Sequence, residues 1–570
     1  MDLPHSWKDV RMAYTIVFKT QGGRDYKIPA EQGDNLLELA QRAGVDVDAP
    51  CSGNGTCGKC LGRIMSGALD APPHFKLSDE AYEDNWRLLC QSYVQADCTM
   101  WIPMSAASFK KGIQTADLST PEELARYEAA IDNLFDAGLS RGCEEKGLGL
   151  AVDIGTTTVT AALLDLRTGR VMGKASSGNG QIRYGADVIN RIIQQSRPNG
   201  IEKLKHAVRD ETLMPIVDEL CAQAEIEPTD IVRVVIAGNT TMEHLFVGED
   251  AQSIRLEPFV PAFLELHGKT ASDLDLPFAP DATVIFAPNV GSYVGGDITA
   301  GVLDSLLWTS EQMTLFIDLG TNGELVFGNS DFMLTCACSA GPAFEGGDIS
   351  CGMRATKGAI CACTIDAETM EPNFNLISGD VPVGMCGSGL IDVVAELFRC
   401  GIVNAKGKFV RTGDRIKYDE FGRGQYILAT ADESGNGSKV FIDEVDIDNF
   451  VRAKGSIFSA IRTMLKSLDM PVESIERVII AGGIGSGINI RNAISIGMLP
   501  ALPQECYNYI GNSSLTGACA MLLSQDATDK TFEIGRNMTY LELSTEPGYM
   551  DEFVAACFLP HTDASLFEVE

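Results

Sequence analysis

Apolar runs separated by glycine and proline divide the chain into predicted elements. Tyr14-Thr-Ile-Val-Phe18 and Arg24-Asp-Tyr-Lys-Ile28 read as two strands around a Gly22-Gly23 turn. Asn35 to Gly44 reads as a short amphipathic helix stopped by its glycine. Residues 106–147 carry no strand pattern, but Thr120-Pro121-Glu122-Glu123 is a helix start: a hydroxyl to cap, proline at the first position and a Glu to complete a capping box. That helix is expected to run to about Gly138, as a spacer or a dimer contact.

Beyond it the patterning repeats. Gly147-Leu-Gly-Leu-Ala-Val-Asp153-Ile-Gly155-Thr156-Thr157-Thr158 has the same form as Leu315-Phe-Ile-Asp318-Leu-Gly320-Thr321-Asn322-Gly323-Glu324: an apolar strand, Asp, an apolar residue, Gly and Thr, then another strand. Arg233-Val-Val-Ile-Ala-Gly238-Asn239-Thr240-Thr241 is echoed by Arg477-Val-Ile-Ile-Ala-Gly482-Gly483-Ile484-Gly485-Ser486. Gly295-Gly296-Asp297-Ile-Thr-Ala-Gly301 and Ser513-Ser-Leu-Thr516-Gly517-Ala518-Cys519-Ala520 read as helices of small residues, which let two helices cross closely. The three elements come in the same order in both halves, so the pattern is a duplication. Asp414 to Asn449, acidic and glycine-spotted, is expected to form surface strands and loops.

At 570 residues the chain is too long for one core. Its 45 Lys and Arg against 78 Asp and Glu leave a formal charge of −33, which argues against nucleic acid or an anionic membrane as partner. No cationic leader precedes an apolar stretch, and no apolar run is long enough to span a bilayer. With 17 cysteines, an odd count, the expectation is a reducing cytoplasm and metal ligation rather than disulfides.

The cysteine spacing sharpens that expectation. Cys51-Ser-Gly-Asn-Gly-Thr-Cys57-Gly-Lys-Cys60 places three thiols five and two residues apart, and Cys90 follows in Leu-Leu-Cys90-Gln91. Gly53, Gly55 and Gly58 permit the tight turns that wrap thiolates around a compact inorganic core. Zinc is the competing occupant, but zinc sites usually pair two Cys-x2-Cys knuckles and only one is present. Residues 12 to about 103 resemble the plant-type and adrenodoxin-type 2Fe–2S ferredoxins, with the longer first gap of the adrenodoxin branch. The resemblance implies a β-grasp fold with Cys51, Cys57, Cys60 and Cys90 as ligands; Cys98 is expected to be a buried strand residue.

The duplicated half resembles the actin, sugar-kinase and large heat-shock-chaperone superfamily, a duplicated ribonuclease H-like fold. The expected whole is a multidomain α/β protein: a lead over 1–12, a ferredoxin domain over 13–105, a helical linker over 106–147, and ATPase lobes over 148–310 and 311–570. The superfamily likeness implies that Gly155, Thr156, Thr157 and Thr158 grip phosphate from one lobe, and Gly320, Thr321, Asn322 and Gly323 from the other. Gly482, Gly483, Gly485 and Ser486 would face adenosine. Asp153 and Asp318 would hold hydrated Mg2+ or position water, and Asp297 would orient the attacking water or cap its helix. Gly384-Met-Cys-Gly387-Ser388-Gly389-Leu-Ile-Asp392 is either a cleft contact or a packing turn. Cys336, Cys338, Cys361 and Cys363 read as core, and His244 as a packed histidine.

Both modules in this order resemble the reductive activators of corrinoid enzymes. Arg183-Tyr-Gly185-Ala-Asp187, Ala237-Gly-Asn239-Thr-Thr-Met-Glu-His244, the Gly384–Asp392 stretch, Glu542-Leu-Ser-Thr and Phe558-Leu-Pro-His561 carry the likeness along nearly the full length. The 106–147 segment is short for a relative with a separate middle domain. The family implies ATP-driven transfer of one electron from a 2Fe–2S cluster to Co(II) of a cobalamin-binding methyl-transfer protein, with a separate reductant as donor. Plant-type clusters sit near about −400 mV, and each further 100 mV costs roughly 2.3 kcal/mol per electron, a gap that nucleotide turnover could cover. Two alternatives stay open: an ATP-gated donor to another low-potential enzyme, such as a radical dehydratase, and a non-catalytic redox or nucleotide sensor.

Overall fold

The computed structural model describes residues 13–20, 25–45, 47, 49, 53, 55, 60–74, 77, 79–103, 120–346, 348–418, 422–483 and 487–567. The first five strands, β1 (Ala13–Thr20), β2 (Asp25–Glu31), β3 (Leu61–Asp70), β4 (Trp86–Leu88) and β5 (Tyr93–Ile102), form one sheet in the order β2-β1-β5-β3-β4. β1 runs antiparallel to β2 and parallel to β5, so the first and last strands of the domain lie side by side. Asn35 caps the Leu36–Arg42 helix by accepting from the N–H groups of Leu37 and Glu38. Its Leu36, Leu37, Leu39 and Ala40 are buried with Ile16, Phe18, Leu89 and Met100. This is the β-grasp arrangement expected of a ferredoxin.

Thr120 caps the Pro121–Asp136 helix, its hydroxyl accepting from Glu123 N–H at 3.2 Å. The Glu123 carboxylate pairs with Arg126 at 2.7 Å. The helix is not a bare spacer: Ile131 and Leu134 are buried among side chains from both lobes. That apolar face is therefore occupied within the chain.

The duplication is visible strand by strand. One sheet has the order β10-β11-β9-β6-β7-β8, built from β6 (Leu148–Ile154), β7 (Thr158–Asp165), β8 (Val171–Gly178), β9 (Ile231–Gly238), β10 (Lys269–Thr270) and β11 (Thr283–Phe286). The other has the order β22-β21-β12-β13-β14-β23, built from β12 (Thr314–Leu319), β13 (Gly323–Gly328), β14 (Met333–Cys338), β21 (Arg477–Ala481), β22 (Tyr507–Gly511) and β23 (Met538–Tyr540). Each lobe opens with an antiparallel hairpin whose first strand pairs in parallel with the strand before the Ala-Gly turn. The register also repeats, since Asp153 lies beside Ala237 and Asp318 beside Ala481.

The Gly296–Ser305 and Ser513–Leu523 helices cross between the lobes, and their contact is as close as their small residues predict. A Cβ on Gly517 would lie 2.0 Å from the Ala300 carbonyl oxygen, and one on Gly301 would lie 2.8 Å from Ser513 Oγ. The second helix also packs on the first lobe, where Leu522 fills the space beside Gly149. Ala151, Val235 and Ala237 thereby share one buried cluster with Phe316, Val326 and Ile479.

The second lobe carries two further three-stranded sheets, β16-β15-β17 (Pro372–Leu376, Ala359–Ile365, Gly384–Met385) and β18-β19-β20 (Ile416–Tyr418, Gly424–Ala429, Val440–Asp443). The second corrects the expectation of surface strands and loops over Asp414–Asn449. Tyr426, Leu428 and Ile442 are buried in the lobe's core, and Asp443 caps the long Glu444–Ser467 helix. Among the described residues no helix is long and apolar enough to cross a membrane.

Gly517→Val forces a side chain into the Ala300 backbone. It is expected to lower the free energy of unfolding by about 1–3 kcal/mol, the usual penalty of overpacking, as measured by denaturant titration. An unchanged midpoint would show that the helix crossing yields.

Candidate functional site

Two sites stand on this scaffold. In the ferredoxin domain, Cys60 ends the loop before β3 and Cys90 lies in the turn between β4 and β5; both are buried. Asn35 donates to the Cys90 carbonyl at 3.0 Å and so ties the capped helix to that turn. Gln91 Nε2 approaches Cys90 Sγ at 3.7 Å. Cys60, then Gln91 and the Gly55 N–H, hold the Cys90 thiol down to about 6 against the burial that pushes it up. Thiolates are what metal ligation requires. Gly53 and Gly55 have φ of +89° and +75°, and a Cβ on Gly55 would come within 3.0 Å of the Gln91 amide. A Cys90 thiol held toward the thiolate beside Cys60, in a glycine cradle that turns the Gly55 N–H toward it, fits an iron–sulfur cluster. Cys51 and Cys57 lie outside the described residues. Cys98 is a buried strand residue whose thiol burial raises to about 11, as a structural cysteine should be.

The second site lies where the hairpins meet. Turn bonds from Gly155 N–H to the Thr158 carbonyl and from Gly320 N–H to the Asn322 carbonyl close the two tips, both at 3.0 Å, the second tip being one residue shorter. Thr157 Oγ1 and Thr321 Oγ1 are 2.8 Å apart across the cleft. Arg354 of the second lobe donates to the Thr157 carbonyl at 3.1 Å. Gly482 has φ of +90°, and a Cβ there would lie 2.6 Å from Asp318 Oδ1, so the Ala-Gly turn presses on the hairpin. Gly483 faces open space, with nothing within 4 Å of a built Cβ. Gly485 and Ser486 lie outside the described residues.

Carboxylates line the half-buried floor of this cleft. Asp153 accepts from Asn512 Nδ2 at 2.8 Å and Ser514 Oγ at 2.9 Å, and burial still raises its carboxyl. Burial, helped by the charge of Asp153, raises Asp318 to about 7. Asp297 is pushed well up by burial and by Asp318 and Asp153; Glu324 follows by burial with Asp297 and Asp318. Gly295 is the N-cap of the Gly296–Ser305 helix, so Asp297 is a first-turn acid and not the cap. Among the described residues no three His, Cys, Asp or Glu side chains converge on one ion-sized point.

Several supporting residues escaped the sequence reading. Asn239 caps the Thr240–Val247 helix and donates to Thr156 Oγ1 at 3.0 Å. Asn179 donates to the Gly155 carbonyl at 2.9 Å, and the fully buried Arg191 donates to the Thr156 carbonyl. Lys174, buried on β8, donates to Tyr127 of the Pro121–Asp136 helix at 2.6 Å, and burial lowers its amine to about 8. An Asn after a strand-ending Ala-Gly was a readable cap signal; a buried Lys or Arg is not visible in a pattern.

Other candidates resolve as structure. Gly389 packs on β15, where a Cβ would sit 2.1 Å from the Ile360 carbonyl oxygen, so that stretch is a packing turn. Cys336, Cys338 and Cys363 are buried in the core of the second lobe and Cys361 is half-buried. His244 is buried, donating from Nδ1 to the Thr240 carbonyl and accepting at Nε2 from Ala262 N–H at 3.1 Å.

Asp318 sets a pH dependence. Its proton is held in the folded chain up to about 7 and lost near 4 when unfolded, so this group's contribution makes folding less favourable as pH rises between those values. A cation bound at Asp318 would compete with that proton, so Mg-ATP affinity is expected to rise by up to about tenfold per pH unit below 7, measured by calorimetry. Asp318→Asn should flatten that profile. In the ferredoxin domain, Cys60→Ala or Cys90→Ala should abolish the visible absorption of the reconstituted cluster.

Residues 19–95 match the 2Fe-2S iron-sulfur cluster binding domain, 148–310 the RACo middle region, and 312–569 the C-terminal domain of RACo, the ASKHA domain. The middle region thus maps onto the first lobe, which corrects the expectation of a short linker standing where a middle domain would be. The corrinoid activation enzyme RamQ of Eubacterium limosum is 34% identical over 93% of this chain and 96% of its own. The [Co(II) methylated amine-specific corrinoid protein] reductase of Methanosarcina barkeri is 24% identical over 69% of this chain and 73% of its own. A solved reductive activator for corrinoid, iron-sulfur protein superposes with a TM-score of 0.69 at 39% identity, covering 97% of this chain and 99% of that one. With a ferredoxin fold ahead of a duplicated, hairpin-bearing nucleotide fold, the chain belongs to the family of ATP-dependent reductive activators of corrinoid proteins.

Proposed function

We propose that this chain uses ATP to drive one electron from a 2Fe–2S cluster onto the Co(II) of a corrinoid methyl-transfer protein, restoring Co(I). The observation that carries the reading is the meeting of two like hairpins from different lobes at Thr157 and Thr321, 2.8 Å apart, on a chain that also holds the Cys60–Cys90 pair. Hydroxyls and N–H groups on both tips can donate to the same phosphate chain, which makes lobe closure depend on nucleotide. Asp318 and Asp153 would hold the water shell of Mg2+, with Asp297 and Glu324 behind them. Raised carboxyls suit this task, because a divalent cation replaces the protons that burial would otherwise keep there.

The bound cluster supplies a one-electron relay between a separate reductant and the cobalt. Cys60 and Cys90 would ligate it, Gln91 would donate toward the Cys90 sulfur, and Asn35 would hold the Cys90 turn in place. With the cluster in place, one electron taken from the reductant would be passed to Co(II) while ATP and water are converted to ADP and phosphate. Among the described residues every cysteine is free of a disulfide, which supports a reducing compartment such as the cytoplasm.

The test is anaerobic and optical: reduced protein is mixed with a Co(II) corrinoid methyl-transfer protein, and the Co(I) band is followed with and without Mg-ATP. Co(I) should form with Mg-ATP alone. Asp318→Asn should slow it about 100-fold or more, the kinetic equivalent of roughly 3 kcal/mol. Cys60→Ala should abolish it. Equal rates without ATP would reduce the nucleotide site to a regulator, and no Co(I) with ATP bound would point to a sensor.

A further inference from the structure

The ferredoxin domain is docked on the first lobe, and its contact surface is tied to the phosphate hairpin of that lobe. Gln41, near the C-terminal end of the Leu36–Arg42 helix, donates to the Arg183 carbonyl at 3.3 Å. Glu38 on the same helix pairs with Arg197 at 3.2 Å. Between the two bodies lies a cavity of about 250 Å³, with Gly53, Cys90 and Gln91 on one wall and Tyr184, Gln194 and Arg197 on the other. The edge of the cysteine turn therefore faces the first lobe across a small polar gap.

The seat on the lobe is continuous with the nucleotide site. Tyr184 ends the short Gly180–Tyr184 turn, and Gln194 lies on the Val188–Gln195 helix that follows. Between these contact residues Arg191 reaches inward. It donates to the Gly185 carbonyl at 2.9 Å, to Gln181 Oε1 at 3.2 Å and to the Thr156 carbonyl at the hairpin tip. Asn179, just ahead of the turn, donates to Gly155. One short segment, residues 179–197, thus touches the phosphate hairpin on its inner side and the ferredoxin domain on its outer side.

We propose that residues Arg183–Arg197 form a docking seat for the chain's own ferredoxin domain, and that nucleotide in the hairpins loosens the seat. The polarity of the contact fits reversible docking. Among the described residues it includes an exposed ion pair, an amide-to-carbonyl bond and a small polar gap, and the Glu38 and Arg197 side chains stay 60% and 41% exposed. Such pairs hold weakly and exchange readily with water. The nucleotide step rests on the reading above that both hairpins grip one phosphate chain. A phosphate held by both tips must part the Thr157–Thr321 hydroxyl pair, and Thr156 moves with Thr157. Arg191 then carries the shift to the helix that bears Gln194 and precedes Arg197. Undocking frees the cysteine edge to meet an external acceptor, so the cluster is withheld until nucleotide is bound.

The test uses the cluster-loaded full-length protein. Small-angle X-ray scattering gives the largest molecular dimension, and calorimetry on the same samples reports binding of a non-hydrolysable Mg-ATP analogue. Arg197→Glu should enlarge the molecule without nucleotide, the Arg197→Glu/Glu38→Lys swap should restore the compact size, and Gln41→Ala should enlarge it partway. The analogue should enlarge the wild type and leave Arg197→Glu unchanged. Variants that all scatter like the wild type would overturn the seat. An analogue that binds with no change in size would overturn the coupling while leaving the nucleotide site intact, and an analogue that fails to bind would overturn both the coupling and the nucleotide reading.

Discussion

The close crossing of the Gly296–Ser305 and Ser513–Leu523 helices is the contact on which the rest of the nucleotide fold depends. Gly517 lies against the Ala300 backbone and Gly301 against Ser513 and Phe316, so no side chain separates the helices. The second helix belongs to one lobe by sequence but packs Leu522 on the other lobe's first strand. The lobes share this core, and a cleft forms only above it. Asn512 and Ser514, at the start of the second helix, then reach Asp153 in the first lobe. Closeness in the crossing fixes the distance at which the hairpin tips meet.

From that constraint follow the electrostatics of the cleft. Pressing Asp153, Asp297, Asp318 and Glu324 into one floor buries all four, and the neighbouring carboxylates make ionisation of Asp297, Asp318 and Glu324 harder still. The arrangement is unfavourable for the empty chain and favourable for one that admits a divalent cation with its phosphates. Closure and ion binding are thus expressions of one energy balance. The cysteine turn shows the opposite bias: neighbouring donors hold Cys90 toward the thiolate despite burial. Each site is built for the charge it is to carry.

Much of this was readable from residue order. The first two strands, the helices that start at Asn35 and Thr120, both hairpins and the small-residue helices follow from local chemistry, and the structure forms them close to the expected places. The duplication was legible because Asp-x-Gly-Thr and Ile-Ala-Gly recur in order, and the parallel pairing of Asp153 with Ala237 and Asp318 with Ala481 repeats it in register. What the pattern hid is long-range. Arg191 and Lys174 look like surface charges on a helix and a strand, yet both are buried, because their partners are carbonyls and a tyrosine far away in sequence. The Pro121–Asp136 helix looked like a spacer because its apolar stripe is narrow, and only the two lobes together provide its groove. The Asp414–Asn449 stretch hid a buried Tyr426 among acidic and glycine residues.

The central claim is that the electron leaves the cluster only when nucleotide is held between the hairpins. Freeze-quench paramagnetic resonance tests it by counting the reduced-cluster spin and the Co(II) spin in the same tubes after mixing. The account predicts that both signals persist without nucleotide and disappear together, one for one, once Mg-ATP is added. Loss of both signals at the same rate without nucleotide would contradict it.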